Sequence, residues 1–196
     1  MKRLIIIFAI AIYSIPSGFS QGMEEGSGFL SLGIGPSNTY VSYRTSISPA
    51  LRVSFDKGFR EIGPGVLTMG AMAGSFTRTY SSNFYSPKYQ TTYHYKWRWT
   101  YLVAAFRLGY YYNFEDLDVK ELNVYGGLSA GPRVSLFTDS YDGPDDSEYN
   151  PYDNSYFGFH FGSFLGANYF LTPKTAVFTE FGYDISWFTL GVTFNM

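Results

Sequence analysis

Two charged residues stand inside otherwise alternating runs. Arg107 lies in "VAAFRLGYYYNF" and Glu180 in "AVFTEFGY". Arg52 and Arg133 occupy similar positions in "LRVSF" and "GPRVSLF". A charge placed in a low-dielectric interior is costly unless it pairs or reaches water. Arg107 and Glu180 are therefore expected to meet, either as the gate of a narrow pore or as a salt bridge that fills a closed interior. Catalysis has little to stand on. His94 and His160 are the two histidines, and neither lies in a nucleophile motif. The acidic run "DSYDGPDDSEYN" offers Asp139, Asp142, Asp145, Asp146 and Glu148 to a calcium ion, but its spacing is not that of an EF-hand loop. It reads as a solvated loop. With no cysteine in the chain, disulfides and thiolate metal sites are excluded. No cofactor is expected. A net charge of −2 gives no footprint for nucleic acid.

The stretch "NFYSPKYQTTYHYKWRW" is the third candidate. Tyr85, Tyr89 and Tyr93 are rigid amphipathic contact residues, suited to a protein or sugar partner or, equally, to the outer aromatic girdle. Trp97 and Trp99 read instead as part of an aromatic girdle at a membrane interface.

These candidates need elements to hold them, and the chain supplies strands. It ends "WFTLGVTFNM", in which Phe188, Leu190, Val192, Phe194 and Met196 alternate with Thr189, Gly191, Thr193 and Asn195. Period-two alternation makes a strand with one apolar face and one small, polar face. Seven earlier segments repeat the pattern. They are "GFLSLGIGP", "SISPALRVSFD", "GVLTMGAMAGSF", "WTYLVAAFRLGYYYNF", "LNVYGGLSAGPRVSLF", "YFGFHFGSFLGANYF" and "AVFTEFGY". In the third, Leu67, Met69, Ala71 and Ala73 are taken as the apolar face. In every segment Arg52, Arg107, Arg133 and Glu180 fall on the small, polar side, and the opposite side is almost free of charge. A soluble barrel would turn the apolar side inward. The charges sit on the wrong side for that, so the apolar side faces lipid and Arg52, Arg107, Arg133 and Glu180 line the interior. Eight strands leave an interior that side chains just fill, which favours the salt-bridge reading over the gate.

Composition agrees. Aromatics make up 21% of the chain, with 19 Tyr, 19 Phe and 21 Gly, and only 15% is charged. That suits a membrane barrel better than its mean hydropathy of −0.09 would suggest. Connections alternate in length. "DKGFREIGPG", "NFEDLDVKE" and "LTPK" are short, whereas residues 77–96 and 138–155 read as long polar loops. Short turns at one end and long loops at the other are the periplasmic and extracellular ends of an outer-membrane barrel. Ahead of the strands stand Lys2, Arg3, the apolar run "LIIIFAIAI" and "PSGFSQ". This reads as a cleaved signal peptide over residues 1–20, leaving a barrel domain over 21–196.

The segments "GPGVLTMGAMAG", "VAAFRLGYYYNF", "LNVYGGLSAGPR" and, most specifically, "GANYFLTPKTAVFTEFGYDISWFTLGVTFNM" resemble the small outer-membrane β-barrel domain family of Bacteroidota. That family is similar in build to the OmpX, OmpA and OmpW barrels of the porin family. The resemblance covers roughly residues 26 to 196. It implies insertion by the barrel assembly machinery, which reads an aromatic-rich last strand; here the chain closes on Met196 with Phe194 two residues earlier. The expectation is an all-β, eight-stranded antiparallel transmembrane β-barrel in the cell outer membrane, monomeric and surrounded by outer-membrane lipid. Its expected role is non-enzymatic: envelope structure and surface interaction through long extracellular loops with an unnamed extracellular ligand. The alternative is an OmpW-like narrow channel or carrier for small solutes or apolar ligands. A lipid-modifying enzyme is the remote one.

Overall fold

The computed structural model describes residues 22–38, 44–114, 121–141 and 155–196. The expected leader at 1–20, the acidic positions Asp142, Asp145, Asp146 and Glu148, and most of "NFEDLDVKE" lie outside them. The described residues form one antiparallel sheet of nine strands: β1 Gly28–Gly35, β2 Thr45–Ile47, β3 Ala50–Ile62, β4 Gly65–Ser86, β5 Thr91–Asn113, β6 Leu122–Tyr141, β7 Tyr156–Thr172, β8 Thr175–Tyr183 and β9 Phe188–Asn195. Eight of them close a ring, because β1 pairs with both β3 and β9 while β4 pairs with β5. The ring abolishes edges and satisfies the backbone within the sheet, as lipid requires. The chain is thus an eight-stranded antiparallel barrel.

The polarity of the wall is inverted relative to a soluble barrel. Phe106 is 53% exposed, Leu165 61% and Phe159 73%, all on the outer face. Arg52, Asp56, Arg107, His160 and Glu180 are buried on the inner face. The chosen face of β4 holds: Leu67, Met69, Ala71 and Ala73 point outward, while Val66, Thr68 and Met72 are buried.

Three expectations about segment limits change. The second segment is interrupted at Ser48–Pro49, where proline cannot donate to the ladder, so it splits into β2 and β3. The connection "DKGFREIGPG" shrinks to a turn at Gly63–Pro64, with Gly63 at φ +60°, because β3 continues through a bulge between Gly58 and Arg60. The largest correction concerns residues 77–96. They are not a loop. β4 and β5 stay paired without a register break from Gly65↔Tyr112 to Ser86↔Thr91, and only Pro87 to Gln90 form the turn. These strands have 22 and 23 residues. Crossing a bilayer takes about 9–11, so roughly ten residues of each project beyond it. β6 accompanies β5 as far as Tyr95↔Tyr141, and β2 pairs with β4 at Thr45↔Tyr80. The chain carries a four-stranded extension of the barrel wall on one side.

The seam that closes the ring joins β1 to β9. Ser31 Oγ and Thr193 Oγ1 share a hydrogen bond of 2.8 Å across it, and Gly33 faces Gly191. Both glycines leave room for the Phe178 ring. A Cβ on Gly191 would overlap the Leu32 carbonyl oxygen and meet Phe178 Cε1 at 2.5 Å. Gly191→Val is therefore expected to cost about 3 kcal/mol, the upper end for overpacking. It should lower the urea midpoint of the refolded barrel, whereas Leu190→Val on the outer face should not move it.

Candidate functional site

The barrel interior is built in three layers. At the end where Gly63–Pro64 and Pro173–Lys174 form two-residue turns, a buried apolar floor gathers Met23, Phe29, Val66, Tyr111, Tyr125, Phe164, Phe170 and Ala176. Met23 comes from the segment ahead of β1, tucked under the barrel. Its carbonyl accepts from Asn113 Nδ2 at 2.8 Å, and Ser27 Oγ donates to its sulfur at 3.2 Å. Gly58 lets this segment approach: Gly26 N donates to Gly58 O at 3.0 Å, and Gly58 N to Ser27 O at 2.9 Å.

The middle layer is a charged network. Glu180 Oε2 accepts from Arg107 Nη2 at 3.1 Å, as the sequence led one to expect, and from the Tyr125 hydroxyl at 3.2 Å. Glu180 Oε1 accepts from Arg52 Nη1. Arg107 Nε donates to Asp56 Oδ1 at 3.2 Å, and the Tyr111 hydroxyl donates to Asp56 Oδ2 at 3.1 Å. The Arg107 guanidinium lies 3.7 Å from the Phe164 ring centroid, and Tyr111 stacks on Tyr125 at 4.5 Å. Arg52 Nη1 also lies 3.8 Å from Asp184 Oδ2, and His160 Nε2 lies 2.9 Å from Asp184 Oδ1. Three carboxylates thus face two guanidiniums and one imidazole, all nine-tenths buried or more.

The third layer is apolar again. Ala50, Met72, Phe76, Val103, Ala105 and Ile185 cluster, with Ile47 and Tyr101 against them. Ile185 reaches this layer because the β8–β9 connection folds inward and Gly74 has no side chain in its way.

Of the four charges expected inside, Arg52, Arg107 and Glu180 come together. Arg133 is also on the inner side but stands apart, its guanidinium 5.4 Å from the Tyr101 ring. Asp56 shares the parity of Arg52 and Ser54 in "LRVSFD", but nothing in the sequence marks it as a partner of Arg107. Asp184 gave no signal, since it follows the last alternating residue of β8.

The two histidines stay apart. His160 points inward; His94 lies on the outer side, its Nδ1 2.7 Å from Asn83 Oδ1. A hydrolytic relay needs the hydroxyl on one ring nitrogen and the carboxylate on the other. In His160, Nε2 serves both Ser129 Oγ, at 3.3 Å, and Asp184 Oδ1. That arrangement orients a side chain and does not activate a nucleophile.

The extension carries the aromatic residues, and their placement corrects the girdle reading. Unbroken register from Arg107 upward puts Trp97 and Trp99 on the inner, concave face of β5, not against lipid. There Tyr80 stacks on Trp97 at 5.6 Å, Trp97 meets Trp99 at 6.4 Å, and Trp99 meets Phe137 at 5.4 Å. The Arg78 guanidinium lies 5.8 Å from the Trp99 ring. Tyr85, Tyr89 and Tyr93 do not form one patch. Tyr93 joins the concave face, 5.8 Å from Tyr141; Tyr89 sits in the tip turn, 6.3 Å from Tyr93; Tyr85, on the opposite parity, points outward and is 57% exposed. The terminal strand is as expected, with Phe188, Leu190, Val192 and Phe194 on the outer face and Met196 exposed at the end.

No family model matches the chain, and no curated protein matches it. Solved structures do. The outer membrane protein OprG from Pseudomonas aeruginosa matches at 11% identity and a TM-score of 0.50, over 91% of this chain and 99% of that one. The attachment invasion locus protein Ail of Yersinia pestis, solved in complex with the heparin analogue sucrose octasulfate, matches at 11% identity and a TM-score of 0.46, over 88% of this chain and 100% of that one. At this identity the likeness is one of fold: the chain has the build of the small β-barrels solved from outer membranes.

Proposed function

We propose that this chain is an integral outer-membrane β-barrel, exported by the leader at 1–20, that acts without catalysis, as an element of the envelope and as a surface-interaction protein. The observation that carries this reading is the contrast between a lumen occupied at three levels and a wall that projects well past the bilayer on one side. A filled lumen argues against the narrow-channel reading. The concave aromatic face of the extension, from Tyr80 and Tyr95 to Trp99, suits a ligand that offers flat or weakly polar faces, such as a sugar ring. The outward apolar side of β9 is what the barrel assembly machinery would read. The fold likeness supports the outer-membrane setting; membership of the Bacteroidota barrel family and a monomeric state belong to the proposal.

Two measurements test it together. The detergent-extracted protein should migrate differently boiled and unboiled, and should be silent in planar bilayers. Steady unitary conductance would return the channel reading. Trypsin added to intact cells should cut after Lys88 in the tip turn and spare Arg78, Lys96 and Arg98, which lie in paired strands. Cleavage spread across 77–96 would mean that the extension is not the surface element.

A further inference from the structure

The outer side of the extension differs from its concave side. From the last lipid-facing leucines, Leu102 and Leu136, the outward positions turn polar at once. On β5 they are Thr100, Arg98 and Lys96; on β4, Thr79 and Ser81; on β6, Thr138 and Ser140. Arg98 lies opposite Thr79 and Thr138, and Lys96 opposite Ser81 and Ser140. Two cations are thus each flanked by two hydroxyl side chains. Asp139, next in sequence, has the other parity and so turns to the concave side. A depression of about 200 Å³ opens here, lined by Lys96, Arg98, Thr138, Asp139 and Ser140. Asp139 borders this depression from the inward parity, opposite Trp97, and among the described residues no other carboxylate stands on β4, β5 or β6 at this level.

Height settles the chemistry. Arg98 is four residues beyond Leu102, about 14 Å along a strand that rises ~3.4 Å per residue. A barrel strand tilted by ~35–45° lifts it about 10–11 Å above Leu102 and about 5 Å above Leu136, which pairs with Thr100 two residues below. That is the headgroup level of the leaflet, where a cation meets anionic lipid over less than a Debye length. Elsewhere on the outer wall the same end presents Phe157, Phe159 and Tyr183, with Trp187, which are apolar or amphipathic. Among the described residues, Lys96 and Arg98 are the outward cations of β4, β5 and β6 above Leu102 and Leu136.

We infer that the Lys96–Arg98 strip, with the hydroxyls of Thr79, Ser81, Thr138 and Ser140, binds the phosphate and adjoining sugar of a phosphorylated glycolipid in the outer leaflet. The cations hold the phosphate by charge-assisted hydrogen bonds, and the hydroxyls serve the sugar. This rests on the outer-membrane reading above, and the site would fix the extension upright against the leaflet.

The test is native mass spectrometry of the purified barrel, released from detergent after incubation with diphosphorylated lipid A or with phosphatidylcholine. The wild-type chain should retain one lipid A and no phosphatidylcholine. Lys96→Gln/Arg98→Gln should lower lipid A retention about tenfold, with boiled and unboiled mobility unchanged. Lys57→Gln/Arg60→Gln, at the opposite end of the barrel, should retain it as the wild type does. Equal retention by wild type and K96Q/R98Q overturns the site, as does equal retention of phosphatidylcholine. Displacement of lipid A by the same concentration of inorganic phosphate would reassign the strip to a free anion. A dimer in the wild type that is lost in K96Q/R98Q would reassign it to a second copy. Failure of the outer-membrane reading looks different: no heat-dependent mobility shift in any variant.

Discussion

Glu180→Ala should be among the most destabilising single substitutions in this chain, lowering stability by about 3–5 kcal/mol, the cost of stranding a buried charge. One carboxylate serves both guanidiniums of the middle layer: Arg52 through Oε1 and Arg107 through Oε2. After truncation Arg107 keeps Asp56, but Arg52 keeps no carboxylate nearer than Asp184 at 3.8 Å among the described residues, beside the Phe178 ring at 5.5 Å. Glu180→Gln should cost less, since its amide oxygen still accepts from one arginine. The geometry also changes the expectation for a charge swap. Were Arg107 and Glu180 an isolated pair, Arg107→Glu/Glu180→Arg would restore most of the stability. Here the swap sets an arginine beside Arg52 and a glutamate beside Asp56. The double variant is therefore expected to be at least as damaged as either single one. Urea titration of the refolded barrel, followed by the unboiled gel band, reads the wild type and all five variants. A swap that recovers the wild-type midpoint would show that Arg107–Glu180 acts alone and that the wider network contributes nothing.

Which parts of this arrangement were legible follows from where lipid enforces a pattern. Within the bilayer the outward residues are apolar apart from a few hydroxyls such as Ser163 and Thr179, so alternation fixes both the strand and its facing. That is why Arg52, Arg107 and Glu180 could be placed inside from Leu51, Phe106 and Phe181 beside them. Above the bilayer the rule lapses. Thr77, Thr79 and Ser81 point outward beyond the hydrocarbon layer while Phe76, Tyr80, Trp97 and Trp99 turn inward, so alternation continues with its polarity reversed. Read by the membrane rule, the stretch looks like a polar loop with scattered aromatics. Its continuous pairing was hidden by the same chemistry that makes it a surface element. Asp184 and Ile185 were hidden for a different reason. They enter the lumen from a turn, where no period constrains facing, and only their burial reveals them.

Met23 is the extreme case of a residue without a pattern, and Met23→Asp is the second large effect expected. The side chain is 0% exposed among Phe29, Tyr111, Phe164 and Phe170, in a segment with no alternation to announce it. An aspartate there would meet an apolar floor, and the sequence just below offers the chain a cheaper escape than unfolding. The segment is held by Asn113 Nδ2, by the two hydrogen bonds to Gly58 and by the Ser27 hydroxyl. Giving up a few bonds at about 1 kcal/mol each costs less than burying an unpaired carboxylate, so the segment should leave while the ring stays closed. The expected result is a barrel that keeps its boiled and unboiled mobilities but becomes susceptible to a protease acting from the short-turn end, at Glu24 and Glu25. Glu180→Ala should do the reverse, lowering barrel stability without exposing that segment. Planar bilayers then separate the layers. Met23→Asp opens only the floor, and the Arg52–Glu180–Arg107 layer still blocks the lumen, so the variant should remain silent. Conductance from Met23→Asp alone would mean that the N-terminal segment, rather than the charged network, is what closes the barrel.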